Sequence, residues 1–425
     1  MPESLKQAQE TVLRDRGRLE INVTSTVGLL PIREATVTIS YTGEPDRIIE
    51  SITTNESGQT ETVTLPAPPL EYSLESSESQ QPYSEYNITV SAPGYEPVTV
   101  SGTEILSDET AIQPIRMEPT NLDTGENTVD PVVIDPHTLY GDYPPKIPEA
   151  EIKPVDESGE IVLSRVVVPE YVVVHNGPPG DTRATNYYVK YKDYIKNVVS
   201  SEIYATWPES ALYANTLAIM SFTLNRVYTE WYRNQGYAFT ITNSTAYDQK
   251  WIYGRNIYSN IDYLVNSVFA NYLSRPGVRQ PIFTSYCDGN RVSCEGLSQW
   301  GSKYLADRGY SAIEILRYYY GSDMFINTAE SISGIPSSFS GYDLTIGSTG
   351  QKVLQLQQQL NRIAQNYPAI PTIAADGIYG TGTANAVRVF QRVFNLPETG
   401  VVDYPTWYEI SSIYVGVTRI AEPGT

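Results

Sequence analysis

Between Gly17 and Pro119, apolar and polar residues alternate in the runs LEINVTS, ATVTISYT, ETVTLPA, YNITVSA and PVTVSG, with Gly, Pro, Asn and Ser between them. A period of two marks strands with one buried face, and it predicts an antiparallel β-sandwich over residues 17–120 behind a short lead segment, residues 1–16. Residues 121–168 break the pattern. They are rich in Pro, Asp and Glu, which favours extended, solvated backbone and makes an acidic connector open to proteases. Its stretch HTLYGDYPPKIPE has enough aromatic and aliphatic content to lie along a domain surface.

At PEYVVVHNG the pattern changes to a β-run and then to helical spacing. The strongest helix is PESALYANTLAIMSFTLNRVYTEWYR, with Pro208 suited to the first turn and Gly236 just past the end. Leu212, Leu217, Ile219, Met220, Leu224 and Tyr228 are interleaved there with Ala211, Ala214, Ala218 and Ser221. Small residues in two directions predict an embedded central helix within an α+β domain, residues 169–335. Farther on, QKVLQLQQQLNRIAQ and ANAVRVFQRVF each present an apolar face (Val353, Leu354, Leu356, Leu360, Ile363; Ala386, Val387, Phe390, Phe394), and a last helix completes a three-helix module over residues 341–417.

The net charge is −20, distributed unevenly: residues 1–165 hold 29 acidic against 10 basic side chains, and residues 166–425 hold 20 against 19. The acidic front gives no basic face for phosphates, which argues against a nucleic-acid partner. No run of about 18 apolar residues spans a membrane, and the N-terminus lacks the apolar core of a standard secretory signal. With two Cys (Cys287, Cys294) and two His (His137, His175), a structural metal site of these residue types is not expected within one domain. The C-x6-C pair is compatible with a disulfide or with two thiols. The 34 Tyr against 8 Phe suit either packing at the solvent edge or stacking on a polar ring-shaped ligand such as a sugar.

In YIKNVVSSEIYATWPESAL, Ile195, Val198, Val199 and Glu202 fall at i, i+3, i+4 and i+7, so one carboxylate shares a helical face with three aliphatic residues. Such an acid destabilises the fold unless it is paired, protonated or facing a cleft. Lys192 and Lys196 stand at spacings a helix would not pair with it. A capping or core-bonded glutamate and a working acid are both consistent with the periodicity.

Four ordered motifs in the last module, Leu356 to Leu360 (LQQQL), Asp376 to Gly380 (DGIYG), Ala386 to Gln391 (AVRVFQ) and Gly400 to Trp407 (GVVDYPTW), resemble the peptidoglycan-binding domain family. Asp376, Tyr379, Gln391 and Trp407 are its representative positions. Taken singly they suit structural roles: glycines for left-handed turns, Asp and Thr for helix caps. NESGQTETVTLPAP with YNITVSAPGYEPVTV resembles the carboxypeptidase-regulatory or transthyretin-like sandwich. YVKYKDYIKNVVSSEIYATWPESALYANTLAIMSFTL and GLSQWGSKYLADRGYSAIEILRYYYG resemble the two blocks of the stage II sporulation protein D family of lytic transglycosylases.

That resemblance implies that Glu202 is the catalytic acid and base of a peptidoglycan glycan-strand lyase, with no cofactor. Tyr286, Gln299, Trp300 and Trp207 are candidate glycan contacts, and Ile195, Val198, Val199 and Trp207 would keep the acid protonated. Val292, Ser293, Cys294 and Glu295 stand where better-known members carry metal-holding His and Cys, so no metal site is expected. The order of parts resembles the clostridial spore cortex-lytic enzymes. It implies a zymogen in the cortex or coat region of the spore, activated at germination by subtilisin-like Csp proteases. The expected cut lies between Pro148 and Val166, with Arg165–Val166 favoured, and would leave a nearly neutral enzyme. The competing readings are a wall amidase or muramidase, and a non-catalytic peptidoglycan-binding assembly protein.

Overall fold

The structure, a computed structural model, describes residues 15–77, 79–120, 130–151, 153, 165–329, 331–334 and 339–418. It is multidomain, with a sheet-rich N-terminal region, a mixed α/β middle and a helical C-terminal region. In the first region Asp15–Ser25 lies between Val63–Ala67 and Thr110–Met117 in a four-stranded sheet, and Ile48–Thr53, Thr36–Tyr41, Ser84–Ser91, Val98–Ile105 and Val132–Val133 form a five-stranded one. Alternation in sequence becomes alternation in burial: Leu19, Ile21 and Val23 on one strand, Val37 and Ile39 on another, are fully buried.

The expectation of an antiparallel arrangement is corrected at one long pair. Asp15–Ser25 and Thr110–Met117 run parallel in register from Arg18 opposite Thr110 to Ser25 opposite Met117. No hairpin links these distant strands, so nothing local imposes antiparallel pairing. Val98–Ile105 and Val132–Val133 are also parallel.

In the middle region the helix Glu209–Tyr228 is buried along nearly its whole length. Pro208 stands just before its first residue, with extended backbone, instead of inside the first turn. The chain leaves the helix at Tyr228, and Gly236, at φ +88°, ends a separate short turn, Arg233–Gln235. In front of it runs Tyr191–Glu202, whose last nine residues are all buried. The stripe of Ile195, Val198, Val199 and Glu202 is buried, and Asn197, Ser200 and Ser201 on the other faces are buried too. Asn197 is accommodated by bonds in both directions with the Ile252 backbone, at 2.7 and 2.9 Å. The C-terminal helices are Gln351–Ala364, Thr381–Val393 and Tyr404–Thr418.

These regions share interfaces. Ile257–Tyr258 of the middle region extends the N-terminal sheet beside Thr110–Met117. Directly behind it, the buried Arg255 guanidinium grips the Glu104 carboxylate with two bonds of 2.6 Å, and Asn256 holds the Glu104 backbone from both sides at 3.0 Å. Burial pushes the Glu104 carboxyl up to about 7 while the Arg255 charge pulls it back. The C-terminal region reaches both others, through Lys192 with Glu409, Asn395 with Asp262, and Tyr367 with the Leu29 carbonyl.

Removing one partner of a buried ion pair leaves the other charge uncompensated. Glu104→Ala is therefore expected to lower stability by about 3–5 kcal/mol, read by denaturant unfolding, while Asp307→Ala, at the surface pair with Lys303, changes it by about 1 kcal/mol or less. Equal small effects would show that the Glu104 contact does not hold the regions together.

Candidate active site

Glu202 is the last residue of its helix and is completely buried. One carboxylate oxygen accepts the Lys250 backbone N–H at 2.7 Å, and the other receives a long bond, 3.5 Å, from the Gln299 amide. Burial is the main cause that pushes its pKa up, to about 7. The Lys146 charge, the Tyr286 hydroxyl and the Lys250 amide act in the opposite direction. The helix C-terminus adds a partial negative charge beside the group, which also disfavours the anion.

Local chain geometry assembles the surroundings. Tyr286–Cys287 pairs with Leu297–Ser298, Tyr286 opposite Leu297, and Ser298 caps the helix Gln299–Asp307 by accepting the Gly301 amide. A disulfide between Cys287 and Cys294 closes the loop between the two strands, which decides the alternative that the spacing left open. Asp288, also buried, accepts the amides of Asn290, Arg291 and Val292. This loop sets Tyr286 and Gln299 side by side against Glu202. The Tyr286 hydroxyl faces the carboxyl closely enough to lower its pKa, yet makes no well-formed hydrogen bond, and the Gln299 carbonyl oxygen is buried without a protein partner. Unsatisfied buried polar atoms cost about 1–3 kcal/mol each, and two of them beside a raised-pKa acid mark a polar site.

Trp207 and Trp300 pack together at 4.9 Å beside this cluster. Trp207 is buried and donates its indole N–H to the Ser73 carbonyl at 2.9 Å. Trp300, half-buried, lines a shallow depression with Leu74, Ser298, Lys303 and Tyr304. The structure thus brings Glu202, Tyr286, Gln299, Trp300 and Trp207 into one neighbourhood. Asp376, Tyr379, Gln391 and Trp407 lie elsewhere, in the helical module. There Tyr379 donates to the Gly400 carbonyl at 2.9 Å, Gln391 bridges Thr399, Gly400, Val401 and Thr406, Asp376 caps the Ile378 amide, and Trp407 is buried. Arg165 is exposed and Val166 buried; most of the expected cleavage interval, residues 152 and 154–164, lies outside the described residues.

Reasoning from sequence missed three neighbours of Glu202. Lys250 contributes its backbone, which side-chain patterns do not reveal. Tyr143 and Lys146 come from HTLYGDYPPKIPE, whose apolar content was the available signal. Lys146 sits 4.3 Å above the Tyr286 ring and donates to the Asp248 carbonyl at 2.8 Å; burial pulls its pKa down to about 8 while the Glu202 charge raises it. Among the described residues no group of three or more His, Cys, Asp or Glu could hold a metal ion, and no helix is long and apolar enough to cross a membrane. A cavity where the three regions meet, lined by Leu29, Lys190, Lys196 and Glu409 among others, does not include Glu202.

Two family models match the chain: Stage II sporulation protein over residues 180–267 and peptidoglycan binding domain over residues 349–410. No curated protein matches. Among solved structures, the chain is similar to the TIE protein of Bacillus anthracis (16% identity over 25% of this chain and 17% of that one, TM-score 0.18). Others are the minor pilin of Streptococcus agalactiae (11%, 27% and 48%, 0.18) and 5-hydroxyisourate hydrolase of Klebsiella pneumoniae (16%, 25% and 92%, 0.17). The chain spans less than half the length of the first two, and scores this low carry no argument. The two matched domains support a cell-wall-related role in sporulation, with peptidoglycan as a partner. The first of them contains Glu202.

Because folding raises the Glu202 pKa from its ordinary value of 4.5 to about 7, the folded chain binds this proton more tightly than the unfolded one. Stability from the group is full below about 4.5 and is lost as pH rises through about 7. Glu202→Gln should therefore gain stability relative to the native chain between pH 4.5 and 8, as followed by denaturant midpoints. Lys146→Met, which deletes the largest charge lowering the Glu202 pKa, should move the carboxyl titration seen by infrared difference spectroscopy to higher pH. A downward or absent shift would show that Lys146 does not act on Glu202.

Proposed function

We propose that this protein is a lytic transglycosylase of spore-cortex peptidoglycan, made as a zymogen. The observation that carries the reading is a single carboxyl, Glu202, held fully buried with a pKa near 7 beside an amide and a phenol, within residues that match the Stage II sporulation protein model. A glycan lyase needs one group that serves first as acid and then as base. Protonated Glu202 gives its proton to the glycosidic oxygen, the C1–O bond breaks, and the leaving sugar departs with a new 4-hydroxyl. An oxocarbenium-like centre remains on the muramic-type ring. The ring's own 6-hydroxyl attacks C1, and its proton returns to Glu202, closing a 1,6-anhydro product without consuming water. No second carboxylate is required to activate water, unlike in inverting hydrolysis.

In its order of parts the chain resembles the clostridial spore cortex-lytic enzyme SleC. The N-terminal region is then a β-sandwich pro-domain, residues 17–120, and residues 121–168 carry the activating cut made by Csp-type proteases at germination. Residues 169–335 form the catalytic domain, and residues 341–417 tether it to the wall. Gln299 and Tyr286 contact the reacting sugar, while Trp300 and Trp207 offer ring faces to its neighbours. The complete burial of Glu202 supports an uncut chain that is not yet competent.

Digestion of cortex peptidoglycan by the processed protein, followed by mass spectrometry of the fragments, tests the reading. Anhydro-muramic ends are expected, and Glu202→Gln should reduce their formation by at least about 100-fold, in line with loss of a general acid whose own contribution is about 10²–10⁴-fold, while wall binding persists. Free stem peptides would indicate an amidase, ordinary reducing ends a muramidase, and no new species a binding protein.

A further inference from the structure

Residues 134–151 and 153 run across the middle region largely without regular secondary structure, and their contacts are those of a bound ligand. Thr138 donates its amide to the Ser201 carbonyl at 3.0 Å, one residue from Glu202, and Ile147 donates to the Ala246 carbonyl at 2.8 Å. Lys153 donates its amide to the Gln280 side chain at 2.9 Å. Arg291 reads two backbone carbonyls of the segment, Gly141 and Thr138. Tyr143 is buried, and its hydroxyl lies within the fields of Glu202 and Asp288. Lys146 fills the space above Tyr286 and Phe222.

The acids of the segment fall on cations of the middle region in sequence. Asp135 meets Lys250 at 3.1 Å. Glu149 receives two bonds from the buried Arg226, at 2.7 and 2.8 Å, and Glu151 two from Arg275, at 2.9 and 3.0 Å. Bidentate guanidinium contacts of this kind select planar carboxylates. Of these cations Lys250 adjoins Glu202 through its backbone amide, while Arg226, Arg275 and Arg291 are shared with Asp248, Asp323 and Asp288 of the middle region. At the adjoining aromatic ledge a second piece of the same front portion, Glu71–Leu74 with its neighbours, holds Trp207 through the Ser73 carbonyl and covers Trp300 with Leu74.

We propose that the channel beneath residues 134–151 and 153 is a binding groove for an anionic, peptide-bearing glycan strand, and that this segment occupies it as an intramolecular surrogate. Its carbonyls and carboxylates stand where the amides and terminal carboxylates of the strand's peptides bind, and Lys146 stands in the place of the reacting sugar. This rests on the assignment of Glu202 as the acid. It adds that the groove reads peptide carboxylates as well as sugar rings. All the occluding residues precede residue 154, so one break in residues 154–164 separates the occupant from the groove.

The test uses the full chain carrying Glu202→Gln and a specific protease site introduced within residues 154–164. After cutting, amide hydrogen exchange is followed at Thr138, Ile147 and Lys153 with and without soluble glycan strands bearing stem peptides. The strands should speed exchange at these three amides at least tenfold, and strands stripped of peptide should need at least tenfold higher concentration. A companion chain with Glu149→Gln and Glu151→Gln should respond at lower strand concentration. Unchanged exchange at strand concentrations that saturate binding to the protein, or equal action of stripped strands, would overturn the proposal. Displacement in this chain, with no product formed by the cut chain that keeps Glu202, would refute only the lyase reading, and product formation by that chain without displacement would refute only this one.

Discussion

A carboxyl removed from water must be neutralised by a cation or a proton, and the middle of this molecule is organised around how Glu202 meets that condition. Its helix ends at the acid, so the helix's own carbonyls place partial negative charge on one side and disfavour the anion. One amide, from Lys250, satisfies one oxygen. Burial raises the pKa and Lys146 moderates the rise. Removing Lys146 from the site would leave a group still more inclined to hold its proton.

The contacts that cover Glu202 also join the regions. Arg255 shows this most clearly: its guanidinium binds Glu104 of the N-terminal region and, at 3.2 Å, the Ser200 carbonyl in the glutamate helix. Next to it, Ile257–Tyr258 extends a sheet built by the N-terminal region. The front portion is thus held by buried charge pairing and strand pairing at one side, and by the segment at the groove on the other. Buried ion pairs contribute little net stability but are costly to break one-sidedly, which suits a cover that is stable while intact and loses its hold when its parts separate.

Much of this was legible in the chain. Period-two runs gave the strands, period-3.6 faces gave the helices Glu209–Tyr228 and Gln351–Ala364, and the glutamate on an aliphatic face pointed to the site. The parallel pairing of Asp15–Ser25 with Thr110–Met117 was not legible, because residue alternation reports burial and not strand direction. Nor was the burial of Asn197, Ser200 and Ser201 in Tyr191–Glu202, because the Ile252 backbone that satisfies Asn197 is distant in sequence. The excess of tyrosine was read as edge packing or sugar stacking, yet Tyr86, Tyr191, Tyr194, Tyr258 and Tyr379 are core residues. The occupation of the groove by HTLYGDYPPKIPE depended on long-range contacts such as Arg226 with Glu149 that local composition does not encode.

In the proposed reaction one carboxyl gives a proton to the departing glycosidic oxygen and takes one back from the muramic 6-hydroxyl, and water takes no part. Digestion of cortex peptidoglycan by the cut protein in water enriched in oxygen-18 addresses it directly. The account predicts that the new muramic-type ends carry no solvent oxygen. Incorporation of oxygen-18 at those ends in step with strand cleavage would contradict it.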